Sequence, residues 1–234
     1  MIDLGSTDFY IDVPSMPRLD FERYSTQLFE QWEEFVGRIV ALPDYSLVLG
    51  IEEGSVKGGG KIAAALGALY IGIGTYGDLF QGIQTIRGQL SSVGDFLAEQ
   101  AAIPFERRGF ETKVRKRGGT LVHLERLFVK VQNREITPDQ AMREAEALLG
   151  DDATTAPEFI RQLRESLEDT PLFPQQLTLL SDTIEQDALV PDREKERRRR
   201  PPRPMPSMPS NQQLRIEVWR ESKNGQRKIR VIQL

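Results

Sequence analysis

The sequence predicts an α+β fold that is mostly helical, with strands close to both ends of the chain. Two short runs rich in β-branched residues flank an amphipathic helix near the N-terminus, and an Asn-Gly pair separates two alternating runs near the C-terminus. Between them, apolar residues recur at helical spacing over long stretches. We therefore predict five parts: a small strand-helix-strand module (1–57), a long glycine-rich helix (58–105), a helical bundle (106–190), a basic proline-rich linker (191–211) and a β-hairpin (212–234).

Composition excludes several kinds of site. The 234 residues include no cysteine and one histidine, so disulfides, thiolate catalysis and cysteine-ligated zinc are ruled out. The net charge of −4 is unevenly spread: residues 191–234 hold 13 basic and 5 acidic side chains, whereas residues 1–190 hold 18 and 30. The beginning of the sequence lacks the pattern of a secretory signal, so we expect a cytoplasmic protein, with inner-membrane association left open.

The N-terminal module is predicted from three segments. Residues 8–13 and 45–57 alternate or are rich in aromatic and β-branched residues, which is typical of strands. Between Phe21 and Val40, apolar side chains are spaced by three and four, which predicts a helix that ends before Pro43. A strand-helix-strand crossover usually makes the two strands parallel.

The glycine-rich segment carries two competing patterns. Ala64, Ala68 and Gly72 recur every four residues, which is the small-residue spacing that lets helices approach closely in lipid. A seam of coiled-coil period also runs through the segment and continues into more polar sequence. The seam consists of Ile62, Ala65, Leu69, Gly72, Tyr76, Leu79, Ile83, Ile86, Leu90, Val93 and Leu97. The sequence leaves open whether residues 62–83 enter a membrane or pack inside an oligomer in water.

Asp78 bears directly on that choice. A carboxylate inside a bilayer is costly and usually faces a protein interior or a water-filled cavity. Gly74 and Gly82 lie four residues to either side, so in the membrane reading Asp78 would face the axis of an assembly. In the other reading, Asp78 marks the end of a buried segment.

The second half of the chain is predicted from local signals. Thr137, Pro138 and Gln140 form a helix start with a capping box, and Gly150 ends that helix. Residues 106–119 are predicted as a basic turn, and Thr155 with Glu158 as the cap of a further helix. The hairpin turn is centred on Asn224-Gly225, which pairs Val218 with Val231.

The basic linker is a candidate for binding an anionic partner. Nucleic-acid phosphates and anionic lipid head groups are both compatible with such a charge run, although it contains no aromatic side chain for base stacking. The solvated linker is the competing interpretation. The binding candidates are Arg197, Arg198, Arg199, Arg200 and Arg203.

No catalytic, cofactor or metal site is predicted. The Gly58–Gly60 run is followed by Lys61-Ile62, so it lacks the hydroxyl of a phosphate-binding loop, and we interpret it as a turn between strand and helix. Glu52 and Glu53 point to opposite sides of a strand, and His123 lies in a helix without an evident partner. We expect a protein that is not an enzyme.

Residues 45–90, about a fifth of the chain, resemble a segment of uncharacterised bacterial proteins that joins a strand, an EEGS turn and a glycine-rich helix ending in a YGD step. Some of these are similar to small adaptor or effector-associated modules of bacterial conflict systems. The resemblance implies a defence-related helix acting at membranes and no catalytic residue. It is carried by Glu52, Glu53, Gly54, Ser55, Leu69, Tyr70, Tyr76, Gly77, Asp78 and Gly82.

These observations together predict a bacterial interaction or effector-type protein that forms a homo-oligomer, with a protein partner or a membrane as further contacts. Self-association would use Ala64, Ala68, Gly72, Tyr76, Asp78 and Gly82. Two alternatives remain: a soluble oligomeric scaffold, and a nucleic-acid-associated accessory protein that binds through its basic tail.

Overall fold

The computed structural model describes residues 1–13, 15–53, 56–106, 112–173 and 214–234. It confirms the mixed α+β class. The described residues form six strands: β1 (Ile2–Ile11), β2 (Ser46–Glu52), β3 (Val56–Ala64), β4 (Thr112–Arg117), β5 (Leu214–Arg220) and β6 (Lys228–Gln233). The same ranges contain six α-helices: α1 (Arg18–Ile39), α2 (Leu66–Gly74), α3 (Leu79–Glu106), α4 (Gly119–Gln132), α5 (Pro138–Leu149) and α6 (Pro157–Glu168).

All six strands form one antiparallel sheet in the order β4-β1-β3-β2-β5-β6. Its strands come from four of the five predicted parts, so the division into separate modules is wrong: residues 1–172 and 212–234 make one compact unit. The predicted 191–211 linker lies outside the described residues. Strands β1 and β2 run in the same direction, as predicted, but β3 lies between them and pairs with both.

The prediction of one glycine-rich helix over residues 58–105 is also wrong. Residues 56–64 form the central strand β3, and the following helical part is divided at residues 75–78 into α2 and α3. Gly77 adopts a left-handed conformation with φ of 79°, and Asp78 Oδ1 accepts a hydrogen bond from Phe80 N at 3.1 Å. A left-handed glycine followed by an Asp cap stops one helix and starts the next.

Helices α1, α3 and α4 cover one face of the sheet, which we call the inner face. Phe9 of β1, Leu49 of β2 and Ile62 of β3 are buried there, beneath Trp32 of α1 and Leu97 of α3. From Leu79 onward, the apolar side chains of the predicted coiled-coil seam therefore pack against other parts of this chain. In that half of the seam, the buried residues are Leu79, Ile83, Ile86, Val93 and Leu97.

Helices α1 and α3 also meet each other directly. The rings of Phe35 and Phe96 stack with centroids 4.0 Å apart, and Tyr24 Oη donates a hydrogen bond to the carbonyl of Ala101 at 3.0 Å. Burial raises the pKa of Tyr24, because the phenolate would lose its hydration. The tyrosine therefore stays a neutral donor.

Helix α5 begins as predicted, with Thr137 and Gln140 forming a complete capping box. The predicted Thr155 cap of α6 is wrong: residues 150–155 form a 3₁₀ helix, and Ala156 precedes α6 without a side-chain cap. Residues 112–117 form strand β4 instead of the predicted basic turn.

Strands β5 and β6 form the predicted hairpin and pair with the rest of the sheet through β2. The register differs by two residues from the prediction, because Val218 pairs with Ile229. Gly225 N donates to the carbonyl of Ser222 at 3.0 Å, so Asn224-Gly225 occupies the third and fourth turn positions instead of the centre. A shift of two residues keeps every side chain on its predicted face.

The hairpin is fastened to α1 by Glu33. One carboxylate oxygen of Glu33 accepts a hydrogen bond from Arg220, and the other accepts from Arg227 Nη2 at 2.8 Å. The side chains of Glu33 and Arg220 are only 16% and 12% exposed. Arg227 loses hydration there, but its hydrogen bonds with Glu30 and Glu33 outweigh that cost and raise its pKa.

We expect Glu33→Ala to lower the free energy of unfolding by about 2 kcal/mol, because it leaves the half-enclosed guanidinium of Arg220 without its carboxylate. Urea denaturation monitored by circular dichroism measures the change. Glu34→Ala is the matched control, since the neighbouring Glu34 side chain is 73% exposed and its pair with Arg38 should contribute about 0.5 kcal/mol or less. Equal losses in the two variants would show that Glu33 does not fasten the hairpin.

Candidate nucleic-acid interface

The second face of the sheet, which we call the outer face, has none of the described helices packed on it. Alternation along the strands sends Asp8 and Tyr10 of β1 to this face, and their ladder partners in β3 and β4 point the same way. An antiparallel sheet with one covered and one free face normally carries polar residues on the free side. Polar residues on the outer face are therefore expected for any such sheet. The feature that distinguishes this face is its balance of positive and negative side chains.

The outer face is strongly basic. The register of the ladders places four carboxylates there: Asp3, Asp8, Glu52 and Glu217. The same register places eight cations there: Lys57, Lys61, Lys113, Arg115, Arg117, Arg215, Lys228 and Arg230. This surplus of positive charge lies on a chain whose net charge is −4.

The carboxylates are all engaged by neighbouring cations. Asp8 pairs with Arg117 at 3.2 Å, and Asp3 pairs with Lys61 at the same separation. Arg215 contacts both Glu52 and Glu217, at 3.3 and 2.9 Å. Lys228 donates to Glu221 beside the face at 2.7 Å, and this hydrogen bond lowers the pKa of Glu221.

Four cations of the outer face have no carboxylate within 4.0 Å among the described residues: Lys57, Lys113, Arg115 and Arg230. Two of them extend from the edge strand β4, and Arg230 extends from the opposite edge strand β6. Charged side chains on edge strands also discourage pairing with other sheets. That role does not require Lys57, which lies on the central strand β3.

Two aromatic side chains stand on the outer face, Tyr10 on β1 and Trp219 on β5. Both side chains are half-buried, so each keeps part of its surface accessible. Arg230 lies over the Trp219 ring, with its guanidinium carbon 5.8 Å from the ring centroid. The strand spacing and register place the two rings about 20 Å apart, on a diagonal across the sheet.

A shallow depression lies between these two aromatics. Gly59 of β3 and Gly50 of β2 pair with each other at its centre, where the missing side chains leave the sheet backbone open. Charged side chains of both signs line its sides: the carboxylates Asp3, Asp8 and Glu52 and the cations Lys57, Lys61, Arg117 and Arg215. The result is a depression with a flat floor, a rim in which cations slightly outnumber carboxylates, and an aromatic ring beyond each end.

The residues predicted for self-association do not share one helix face. Ala64 is buried in β3, whereas Ala68 is half-buried on α2. A side chain at Gly72 would meet Leu42 and the carbonyl of Ala41, at 2.5 and 2.8 Å. The close approach that the small residues permit is thus made inside this chain.

The other three predicted residues also have partners within the chain. A Cβ on Gly82 would meet Ile73 at 2.7 Å, so this glycine lets α3 cross α2 closely. Asp78 is exposed and caps α3, and Tyr76 Oη accepts a hydrogen bond from Gln89 Nε2 at 2.9 Å. No helix among the described residues is both long and apolar enough to span a membrane. Oligomerisation itself stays a prediction.

The other predicted site, formed by Arg197 to Arg200 and Arg203, lies outside the described residues, as do Gly54 and Ser55. Sequence reasoning missed the basic strand β4, although the alternation of Lys113, Arg115 and Arg117 was a readable signal. It also missed Lys57 and Lys61, because the glycines between them were interpreted as a turn.

The described residues contain no cluster of three or more metal-ligating side chains. The chain matches no protein-family model, and comparisons with curated proteins and with solved structures found no match either.

Proposed function

We propose that the outer face of the sheet binds single-stranded nucleic acid, and that the protein is a nucleic-acid-binding accessory protein. The observation that carries this proposal is the combination, among the described residues, of four cations with no carboxylate within 4.0 Å and two half-buried aromatic rings on one sheet face that no described helix covers. The sequence-based alternative placed nucleic-acid binding in the basic tail. The present proposal places it on a surface of the folded unit instead.

The charge pattern favours a polyanion over a single small anion. The surplus cations are distributed from β4 through β3 to β6, over a sheet width of about 24 Å. A chain of phosphates spaced along a strand can contact several such cations at once and release their counterions. A small anion could contact one or two of them only.

The shape favours a single strand over a duplex. A six-stranded sheet face about 24 Å across is wider than the major groove of undistorted B-DNA, about 12 Å, and the depression at Gly50 and Gly59 is flat and open. Unpaired bases can instead lie on the sheet and stack on Tyr10 and Trp219, while phosphates contact the lysines and arginines. Aromatic stacking on every base type would make the binding tolerant of sequence.

We expect a short oligothymidylate or oligouridylate to quench the fluorescence of Trp219, one of only two tryptophans in the chain. Four phosphate contacts predict an affinity that falls with salt at a log–log slope of about −3. Trp219→Ala should lower the affinity about tenfold, because one stacked base is lost. Fluorescence titrations at several salt concentrations measure the quenching and the salt slope, and the anisotropy of a dye-labelled oligonucleotide measures the affinities of the unaltered chain and of Trp219→Ala.

Trp32 serves as the internal control, since it is buried on the inner side of the sheet and its emission should not respond to the oligonucleotide. Leu19→Ala is the matched surface variant. Leu19 is 74% exposed on α1, which covers the inner face of the sheet, and its loss should leave the affinity unchanged. Binding of a duplex of the same length with equal affinity would contradict the single-strand proposal, and salt-independent binding would contradict a phosphate-based interface.

A further inference from the structure

A cavity of about 230 Å³ lies on the inner side of the sheet, between β1, β3 and β4 and helices α3 and α4. One part of its lining is apolar and includes Leu4, Ile62, Leu90 and Val93. The other part is polar and includes Ser6, Thr7, Arg87, Ser91 and Lys116. No Asp or Glu side chain among the described residues lines the cavity. Cations and hydroxyls without carboxylates are the donors that an anion requires.

The polar part of the lining is concentrated where β1, β4 and α3 meet. Thr7 of β1 and Lys116 of β4 are ladder partners. Both reach the place where a side chain on Gly94 of α3 would stand, with Thr7 Oγ1 2.3 Å and Lys116 Cδ 3.8 Å from that position. Lys116 Nζ also donates to the Ser91 hydroxyl at 3.4 Å. The missing side chain of Gly94 therefore leaves space beside these three polar groups.

Thr7 is the buried residue of this cluster. It is only 6% exposed, and its hydroxyl makes no hydrogen bond with another described residue. Buried hydroxyls are almost always paired with protein or with an ordered molecule. Because Thr7 lines the cavity, a ligand held there can accept the proton of its hydroxyl.

The start of helix α4 adds backbone donors. Gly118 precedes the helix and Val122 lies in its first turn, and both line the cavity. No described side chain caps this end of the helix, and its first turn contains no acidic residue. The first N–H groups of the helix therefore have no side-chain acceptor among the described residues, and the positive end of the helix dipole lies beside the cavity. Such helix starts readily bind phosphate groups.

The two cations of the polar part also have carboxylate partners, which lie outside the lining. Arg87 pairs with Glu125, and Lys116 pairs with Asp95. The Lys116 and Asp95 side chains are 36% and 67% exposed, so water weakens their attraction. Glu125 also accepts from Gln84 Nε2 at 3.4 Å, so it keeps a donor when Arg87 turns to a ligand. Both cations can therefore contact an anion in the cavity.

We propose that this cavity binds a phosphate group, either as free phosphate or as the head of a small monoester. Its oxygens accept hydrogen bonds from Lys116, Thr7 and the backbone at the start of α4. Phosphate agrees with the site because its several oxygens can accept from donors in different directions, and its charge of up to −2 matches the two cations. The volume exceeds the roughly 150 Å³ of a cavity that holds benzene, so a short apolar group has room beside the phosphate.

The test titrates the full chain with inorganic phosphate, and with sodium chloride at equal ionic strength as the reference. In two-dimensional ¹H–¹⁵N spectra, the amide signals of Gly119 and Thr120 should move with phosphate and not with chloride. Lys116→Gln and the shape-conserving Thr7→Val should each weaken phosphate binding about tenfold, the value of one charge-assisted hydrogen bond. Lys113→Gln is the matched control, since it removes the same charge from the other face of the same strand and should leave the phosphate affinity unchanged.

The experiment must also separate the cavity from the outer face, because Ser6, Gly60 and Arg117 border both the cavity and the outer depression. Phosphate should not displace an oligothymidylate at equal ionic strength. Displacement, or equal weakening by Lys113→Gln and Lys116→Gln, would place the phosphate on the outer face and overturn this proposal without affecting the proposed function. Absence of a phosphate-specific shift at millimolar concentration would overturn it as well.

Ethyl phosphate distinguishes the two sources of the phosphate group. Tighter binding than inorganic phosphate would support a monoester whose apolar part lies against Leu90 and Val93, and equal or weaker binding would support free phosphate. Thermal melting checks that each variant is folded. If a variant is not folded, the amide shifts of the unaltered chain decide the question.

Discussion

Gly60→Val is expected to lower the free energy of unfolding by about 3 kcal/mol, whereas Gly59→Val, one residue earlier in β3, should change it by about 1 kcal/mol or less. The difference follows from the alternation of the strand. A Cβ on Gly60 would point into the core, 2.4 Å from Leu97 Cδ2 and 3.0 Å from the Trp32 ring. Both neighbours are fully enclosed, so neither can move without displacing others.

Gly59 faces the other side of the sheet. A Cβ there would meet only the carboxylate tip of Asp8 closely, at 2.9 Å, and that flexible side chain can rotate toward solvent. Valine also favours the extended conformation over glycine, which offsets part of the cost. Urea denaturation of the two variants measures the difference, and similar losses would mean that β3 does not present Gly60 to the core.

This glycine run shows why the central strand escaped prediction. Glycine and alanine have low strand propensity, and residues 56–64 contain three consecutive glycines. The segment is extended because β1 and β2 pair with it on both sides. Phe9 occupies the space where a side chain on Gly58 would stand, with ring carbons 2.1 to 2.8 Å from that position. Such tertiary pairing overrides local preference and cannot be seen in the segment itself.

Local sequence signals predicted the structure correctly where that structure depends on residues close together in the sequence. The capping box of Thr137 and Gln140 fixes the start of α5, and the amphipathic spacing of α1 and α4 fixes their buried faces. Residues Tyr76-Gly77-Asp78 also contain a glycine that can end one helix and an aspartate that can cap the next, but we interpreted them as part of one long helix. The small residues near it indicated close packing correctly, although the partner is the same chain.

The outer face could not be predicted because no segment contains it. Its cations come from β3, β4, β5 and β6, and the most distant two, Lys57 and Arg230, are 173 residues apart in the sequence and share a face only when the sheet order is known. The two aromatics, Tyr10 and Trp219, likewise lie near opposite ends of the chain. The net charge gave no indication of a basic sheet face, since the chain as a whole is acidic.

Charge reversal on β4 is expected to have the largest effect on nucleic-acid binding. Lys113→Glu combined with Arg115→Glu removes two of the four outer-face cations that have no carboxylate within 4.0 Å among the described residues, and adds two negative charges to the same edge. We expect the affinity for an oligothymidylate to fall at least about 100-fold at low salt, because two phosphate contacts become repulsions. Stability should change little, since both side chains are exposed and their backbone pairing with β1 is retained.

The matched control changes net charge equally on the helical layer. Arg23→Glu combined with Arg38→Glu alters two exposed arginines of α1, 78% and 65% exposed, which pair only weakly with Asp20 and Glu34. If binding depends on overall charge alone, the two double variants will weaken it equally, which would contradict a defined interface. If the outer face is the interface, the control will reduce affinity only slightly, and that reduction will disappear at higher salt because α1 lies more than a Debye length from the bound phosphates.

The β4 variant will also lower the salt slope from about −3 toward about −1.5, since the number of neutralised phosphates is halved. A loss of affinity with an unchanged slope would place the lost contacts elsewhere, so the slope tests the position of the interface independently of its strength.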